Sequence, residues 1–331
     1  MSFEALVVQD GVQRARVRQL DLADLPRHGG VLVRVDWSSI NYKDAMAVTG
    51  KGKIIRAPLP FVPGIDMAGT VVQSDHPEFP VGSPVLSTGW GVGERTWGGY
   101  SRFQWMSPNW LVPLPEGLTL REAMIVGTAG FTAMLSLQAI EHFGLSIEEG
   151  PVLVTGATGG VGSFSILLLA AAGYDVVAVT GKPASEDYLR ALGAHRICAR
   201  SSFEGGARQP LDSSTWAGCV DSVGSRVLEA ILSQIKPHGV VAACGLAGGH
   251  ELSTTVYPFI LRGVRLIGID SNTCPQGPRR QAWKALTELL STVDLERIAR
   301  DVTLNEVPEA CEQLMRGGIR GRFVVDLRTA G

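Results

Sequence analysis

The chain has 331 residues, 45% of them hydrophobic and 19% charged, and carries a net charge of −2. That length exceeds the usual reach of one hydrophobic core, so two domains are expected. The composition argues against a disordered or membrane-embedded chain, and the charge leaves no footprint for nucleic acid.

The start, Met1-Ser-Phe-Glu, lacks a basic segment followed by an apolar one, and no apolar run reaches spanning length. A cytoplasmic protein with no membrane partner is therefore expected. The five cysteines, Cys198, Cys219, Cys244, Cys274 and Cys311, are scattered and odd in number, and no C-x-x-C or Cys/His cluster occurs. Buried thiols are expected, with neither a disulfide framework nor a metal. The motifs of P-loop nucleotide hydrolysis, zinc proteolysis and serine hydrolysis are missing as well.

Up to about Leu120 the sequence reads as short strands with frequent turns. Ala5-Leu-Val-Val8 and Val31-Leu-Val-Arg-Val35 are strand-like, with Pro26-Arg-His-Gly-Gly30 between them. Val62-Pro-Gly-Ile-Asp-Met-Ala-Gly-Thr-Val-Val72 carries glycines inside a strand pattern, as bulges and barrel corners do. Val81–Leu86 and Tyr100–Gln104 follow in the same manner, which predicts a curved, mainly antiparallel domain. Arg121 to Gly144 is helical in period, interrupted at Gly127-Thr-Ala-Gly130.

Strands and helices then alternate. The pattern predicts strands at 152–154, 175–180, 195–198, 219–221, 240–244 and 264–268, with helices near 185–192 and 226–235. This is the fold class of an α/β protein with a doubly wound, six-stranded parallel sheet. Two more helices, about 279–291 and 306–315, lead to a closing strand, Gly321-Arg-Phe-Val-Val-Asp-Leu327, expected to return to the first domain. The expected division is 1–122 with 272–331 against 123–271.

The most specific stretch is Val152-Leu-Val-Thr-Gly-Ala-Thr-Gly-Gly-Val-Gly162, a buried strand, a glycine-rich turn and the start of a helix. Alanine stands where the G-x-G-x-x-G fingerprint has its first glycine, with Gly156 just before it. The following strand completes the βαβ spacing the fingerprint requires. Thr158, Gly159, Gly160, Val161 and Gly162 are thus expected to hold a pyrophosphate at the helix N-terminus. An NAD site places an acidic residue at the end of the second strand, whereas this chain offers Thr180-Gly181-Lys182 and no carboxylate until Glu186. A lysine there suits the 2′-phosphate of NADPH, with Arg196 as a possible second cation.

The whole chain resembles the zinc-free members of the medium-chain dehydrogenase/reductase superfamily, on the quinone oxidoreductase side and nearest the acrylyl-CoA reductase group. The stretches that carry the likeness are Trp37-Ser-Ser-Ile-Asn-Tyr-Lys-Asp44, Thr49-Gly-Lys-Gly-Lys-Ile54, Pro63–Gly69, Thr88–Gly93, Gly127–Met134 and Ala243–Gly249. The resemblance implies a GroES-like catalytic domain and a Rossmann domain. It implies hydride transfer from NADPH to the C=C bond of a short 2-enoyl-CoA, with a quinone reductase or a non-catalytic NADPH-binding protein as alternatives.

Zinc-dependent relatives keep a cysteine where Asn41 stands and a histidine–glutamate pair where Ile65-Asp66 stands, so loss of the cysteine and histidine removes the metal. The resemblance assigns Tyr42 and Asn41 to catalysis, Tyr42 to substrate contact, and Asp44 to a helix cap. It adds cofactor contacts from Gly181, Lys182, Pro183, Arg196, Leu246, Ile260, Ser271 and Gly317, the last a departure from an asparagine, and it implies a homodimer. Trp90, Trp97 and Trp105 are candidate cleft walls, and Lys51, Lys53 and Arg56 a candidate phosphate cluster.

Overall fold

The computed structural model describes residues 2–11, 14–291 and 293–329. It divides the chain into one unit of Met1–Thr128 with Ser271–Gly331 and a second of Ala129–Asp270. The divide thus falls a few residues beyond the expected 122 at its first crossing and at nearly the expected place at its second.

In the first unit, β1 (Ser2–Val8) and β2 (Ala15–Asp21) pair as an antiparallel hairpin. The core is a sheet built on β3 (Val31–Ile40), whose side chains are nearly all buried. A helix α1 (Tyr42–Thr49) leaves the end of β3 and is followed by β4 (Asp66–Gln73), β5 (Pro84–Thr88), β6 (Phe103–Met106) and β7 (Val112–Pro113). The anticipated bulge is present: the β3–β4 register slips between Val35 and Trp37, and a Cβ at Gly69 would collide with the Arg34 carbonyl.

The helix α2 (Leu120–His142) follows, broken at Gly127, whose φ of 48° and ψ of −158° lie outside the helical region. The expectation that nothing reaches spanning length needs correction. With 23 residues, α2 is long and apolar enough to cross a membrane, but 78% of its most apolar 18-residue stretch is buried within the protein. It is dressed as a core helix is.

The second unit contains β8 (Val152–Val154), α3 (Gly160–Ala171), β9 (Val176–Thr180), α4 (Glu186–Ala191), β10 (Arg196–Ala199), β11 (Trp216–Asp221), α5 (Ser225–Gln234), β12 (Ile235–Ala243), α6 (Tyr257–Arg262) and β13 (Arg265–Gly268). All of its strand pairs are parallel, in the spatial order β10-β9-β8-β11-β12-β13. Buried on both faces, β8 and β9 consist of apolar residues up to the closing Thr180, as a central parallel strand requires. The order reverses direction at β8, so the glycine turn after β8 opens at the topological switch point, where such sheets bind ligands.

The chain then re-enters the first unit through α7 (Gln276–Leu290), β14 (Ala299–Thr303), α8 (Val307–Met315) and β15 (Arg322–Asp326). As expected, the closing strand joins the first sheet: β15 runs antiparallel to β3, with Phe323 opposite Ile40, and parallel to β14.

Candidate active site and dinucleotide site

In the first unit, the end of β3 and the start of α1 bring together a buried polar knot. Asn41 is the N-cap of α1, and its backbone N–H donates to Asp44 Oδ2 at 2.8 Å while Asp44 Oδ1 accepts from the Ile65 N–H at 2.9 Å. Asp44 thus caps the helix, as anticipated. The Asn41 amide donates to Asp66 Oδ2 at 2.8 Å and to Asp44 Oδ2 at 3.2 Å, and its oxygen accepts from Arg322 at 3.2 Å. The Asp66 carboxylate only accepts and a guanidinium only donates, so the orientation of this amide is fixed by its neighbours. Both ends of Asn41 are spent inside the protein, which makes it a positioning residue in this structure.

Asp66 is fully buried and richly supplied with donors. Ser39 Oγ donates to it at 2.6 Å, the Thr128 hydroxyl at 2.5 Å and the Thr128 N–H at 2.9 Å. The break at Gly127 is what presents that N–H, and a Cβ at Gly127 would lie 2.6 Å from both Arg322 Nη2 and Asp66 Oδ2. Arg322, itself buried, stands 3.6 Å from Asp66 and is joined to it through Ser39, to which it donates at 2.7 Å.

Sequence reasoning missed Arg322. The signal was a cation opening a strand whose next three residues are apolar, but its partners Asn41 and Ser39 lie 281 and 283 residues away and are found only through the pairing of β15 with β3.

This donor set does not fit a divalent metal. Asn41 and Asp66 already have partners, and a buried guanidinium supplies the positive charge that a cation would bring. Among the described residues no group of three or more His, Cys, Asp and Glu side chains is assembled to hold one.

Burial, followed by the nearby charge of Asp66, pushes the Asp44 carboxyl up to about 7 against the opposing hydrogen bonds from Asn41 and Ile65. With Asp44 protonated, Asp66 and Arg322 balance each other. A folded-state pKa above the unfolded one means that the native protein holds the extra proton between about pH 4 and pH 7, so stability falls as pH rises through that window. Chemical denaturation across that range is expected to show wild type losing roughly 3–4 kcal/mol relative to Asp44→Asn. Parallel pH profiles for the two proteins would contradict the assignment.

Tyr42, the first residue of α1, is 41% exposed, and its hydroxyl has no partner among the described residues. Gly317 closes α8 with φ +71° and open space where a Cβ would be, and Ser271 begins the returning segment, its carbonyl accepting from Arg279 at 3.0 Å. Trp90, at φ +60°, lies against Arg279 with 4.8 Å to the ring centroid, and its buried indole N–H has no partner among the described residues. Trp97 is half-buried. Trp105 is no candidate wall: on β6 opposite Leu32, it packs with Phe3, Leu25 and Phe103 in a satellite core.

In the second unit, the glycines after β8 serve three different ends. Gly156 takes φ +58°, making the tight turn in place of the missing first glycine, and a Cβ there would strike Ser222. Gly162 packs so closely on the turn that a Cβ would overlap the Gly156 carbonyl. Gly159, the N-cap of α3, has only the Gly156 oxygen within reach, at 3.3 Å, so the space before it is open. Gly160, Val161 and Gly162 head the helix, where no preceding carbonyl can take their N–H groups, and the nearly buried Thr158 lies beside them. The arrangement fits a pyrophosphate.

At the end of β9, Thr180 Oγ1 accepts from the Lys182 N–H at 3.0 Å and Pro183 begins a short turn. Burial and then the neighbouring Arg200 guanidinium hold the Lys182 ammonium below the usual lysine range. Arg200 lies against Gly181, where a Cβ would be 3.0 Å from its Cζ. The second cation at this turn is therefore Arg200, not Arg196. Arg196 opens β10 at the other end of the strand and pairs with Asp175 at 2.9 Å. In a parallel sheet only the residue following the strand reaches the ligand end, and that residue is Arg200. Leu246 and Ile260 are both largely exposed on this unit.

The fold and these two sets of residues define an oxidoreductase architecture. Residues 27–116 match the family described as alcohol dehydrogenase GroES-like domain, and residues 160–292 match zinc-binding dehydrogenase. Acrylyl-CoA reductase AcuI of Ruegeria pomeroyi is 49% identical over 98% of this chain and 99% of its own. The yhdH oxidoreductase of Salmonella enterica, solved in complex with NADP, superposes with a TM-score of 0.95 at 48% identity, covering 99% of this chain and all of that one. Protein yhfP of Bacillus subtilis, solved with NAD bound, gives 0.93 at 44% identity over 99% of this chain and all of its own. The chain belongs to the medium-chain dehydrogenase/reductase family.

Proposed function

We propose that the protein reduces short 2-enoyl-CoA thioesters, acryloyl-CoA to propanoyl-CoA, with NADPH as donor and no metal. The observation that carries the reading is the Ser39–Asn41–Asp66–Arg322 knot. A buried guanidinium and a saturated carboxylate offer no ligands to a Lewis acid at this spot, and reduction of a conjugated thioester needs none. Likeness to an acrylyl-CoA reductase over nearly the whole chain supports the same substrate class.

Bound NADPH would supply a hydride. The β-carbon of the acceptor receives it, the electron pair moves onto the thioester oxygen as an enolate, and a proton then closes the α-carbon. Tyr42, whose hydroxyl has no partner among the described residues, donates to that oxygen or passes on the proton. Asn41 holds the turn that presents Tyr42. The N-terminus of α3, with Thr158, Gly159, Gly160, Val161 and Gly162, takes the pyrophosphate. Thr180, Gly181, Lys182, Pro183 and Arg200 take the adenosine end, and Leu246 and Ile260 of the same unit add cofactor contacts. The 2′-phosphate preference rests on Lys182 and Arg200 and on the lack of a carboxylate at the end of β9.

Steady-state assays with acryloyl-CoA test the reading. Turnover with NADPH well above NADH and above a simple quinone control is expected. Activity confined to quinones selects a quinone reductase. Cofactor binding with no turnover, indifferent to Tyr42→Phe, selects a non-catalytic protein.

The reading also includes a homodimer. The edge strand β13 is half-exposed, and Val256, Tyr257 and Leu261 nearby are exposed apolar residues, a hazard that pairing of edges would cover. Light scattering is expected to give a dimer at micromolar concentration, and a monomer there would contradict it.

A further inference from the structure

We infer that the cavity at the C-terminal end of α1 seats the phosphate-bearing adenosine end of the coenzyme A thioester. The inference rests on the enoyl-CoA reading and extends it to a second part of the substrate. Gly50, at φ 72°, ends α1 in a left-handed cap and turns the chain into Lys51-Gly-Lys-Ile-Ile55. Behind this turn lies a cavity of about 560 Å³ lined by Arg14, Gly50, Lys51, Gly52, Lys53 and Ile55. That size suits a nucleotide-sized ligand.

The lining is cationic in a protein whose net charge is −2, so the positive charge is local to this spot. Arg14 is held by a hydrogen bond from its Nε to the Ala47 carbonyl at 3.3 Å and lies across Gly50, where a Cβ would come within 3.2 Å of its Cδ. Its remaining guanidinium nitrogens have no partner among the described residues. Lys53 is exposed and forms no ion pair among the described residues. Lys51 is paired with Glu312 at 2.8 Å, both side chains being substantially exposed. Exposed pairs of this kind contribute little, so a phosphate carrying more charge can displace the carboxylate. Ile55 offers apolar surface to an adenine. Arg56, which the sequence grouped with the lysines, does not line the cavity.

The helix itself sets the reach. Tyr42 stands at one end of α1 and the cavity at the other. Eight residues at about 1.5 Å each give roughly 12 Å, a span that an extended pantetheine arm bridges and a small quinone does not.

The test compares acryloyl-CoA with acryloyl-pantetheine, which lacks the adenosine phosphates, in wild type and in Lys51→Ala/Lys53→Ala with and without Arg14→Ala. KM for the CoA thioester is expected to rise about tenfold or more. KM for the pantetheine thioester should hold. Calorimetry with desulfo-CoA under saturating NADP⁺ reads the same site without turnover, and the same weakening is expected. Glu312→Gln, which releases Lys51, is expected to tighten desulfo-CoA several-fold. Unchanged CoA constants in the lysine variants, equal losses for both thioesters, or no desulfo-CoA binding by wild type would overturn the inference. Binding of desulfo-CoA by a wild type that turns over neither thioester would instead overturn the reductase reading and leave the site standing.

Discussion

Replacing Arg322 with methionine is expected to destabilise the protein by about 3–5 kcal/mol, the loss typical of a buried pair deprived of one partner. The charge of Asp66 would remain in the interior, and the Asn41 oxygen would lose the donor that Arg322 supplies at 3.2 Å. Ser39 and Thr128 would still donate to Asp66, which favours the lower end of that range. Urea titrations of wild type, Arg322→Met, Asp66→Asn and the double variant measure it. The double variant is expected to be far more stable than the sum of the single losses predicts, because no charge is then left buried alone. Additive losses, or an Arg322→Met cost below about 1 kcal/mol, would mean that the knot is not an electrostatic unit.

The second large effect concerns the dinucleotide. If Lys182 and Arg200 hold the 2′-phosphate, each charge-assisted contact contributes about 1.5–3 kcal/mol, so Lys182→Ala should weaken NADPH roughly 10- to 100-fold and leave NADH nearly unchanged. Arg200→Ala should act in the same direction, while Arg196→Ala, removing a cation at the opposite strand end that pairs with Asp175, should not. Fluorescence titration with both cofactors reads the ratio. Equal weakening of both, or an effect confined to Arg196→Ala, would reverse the assignment.

The legible parts of the chain were those whose signal is local. The six parallel strands of the second unit announced themselves as short apolar runs, and the glycine turn as a cluster whose positions each have a geometric reason. The Asn41-Tyr-Lys-Asp44 cap is also local, since its hydrogen bonds span three residues. What was hidden depends on register. Arg322 meets Asn41 only because β15 pairs with β3, and Arg200 rather than Arg196 reaches the Gly181 turn only because β10 ends, rather than begins, beside it. The edge strand β14 was missed altogether. Ala-Arg-Asp-Val-Thr buries only Val302 and shows no alternation long enough to recognise. Arg14 was invisible as part of the basic cavity because β2, β3 and α1 lie between it and the other lining residues in the sequence.

The most direct check on the central claim follows the hydride itself. NADPH carrying deuterium at the transferable C4 position is mixed with acryloyl-CoA in ordinary water, and the product is examined by mass spectrometry and NMR. The account predicts propanoyl-CoA with one deuterium, on the β-carbon, and ordinary hydrogen newly added at the α-carbon. Unlabelled or unreduced thioester, from enzyme that still oxidises the same NADPH with a quinone, would contradict it.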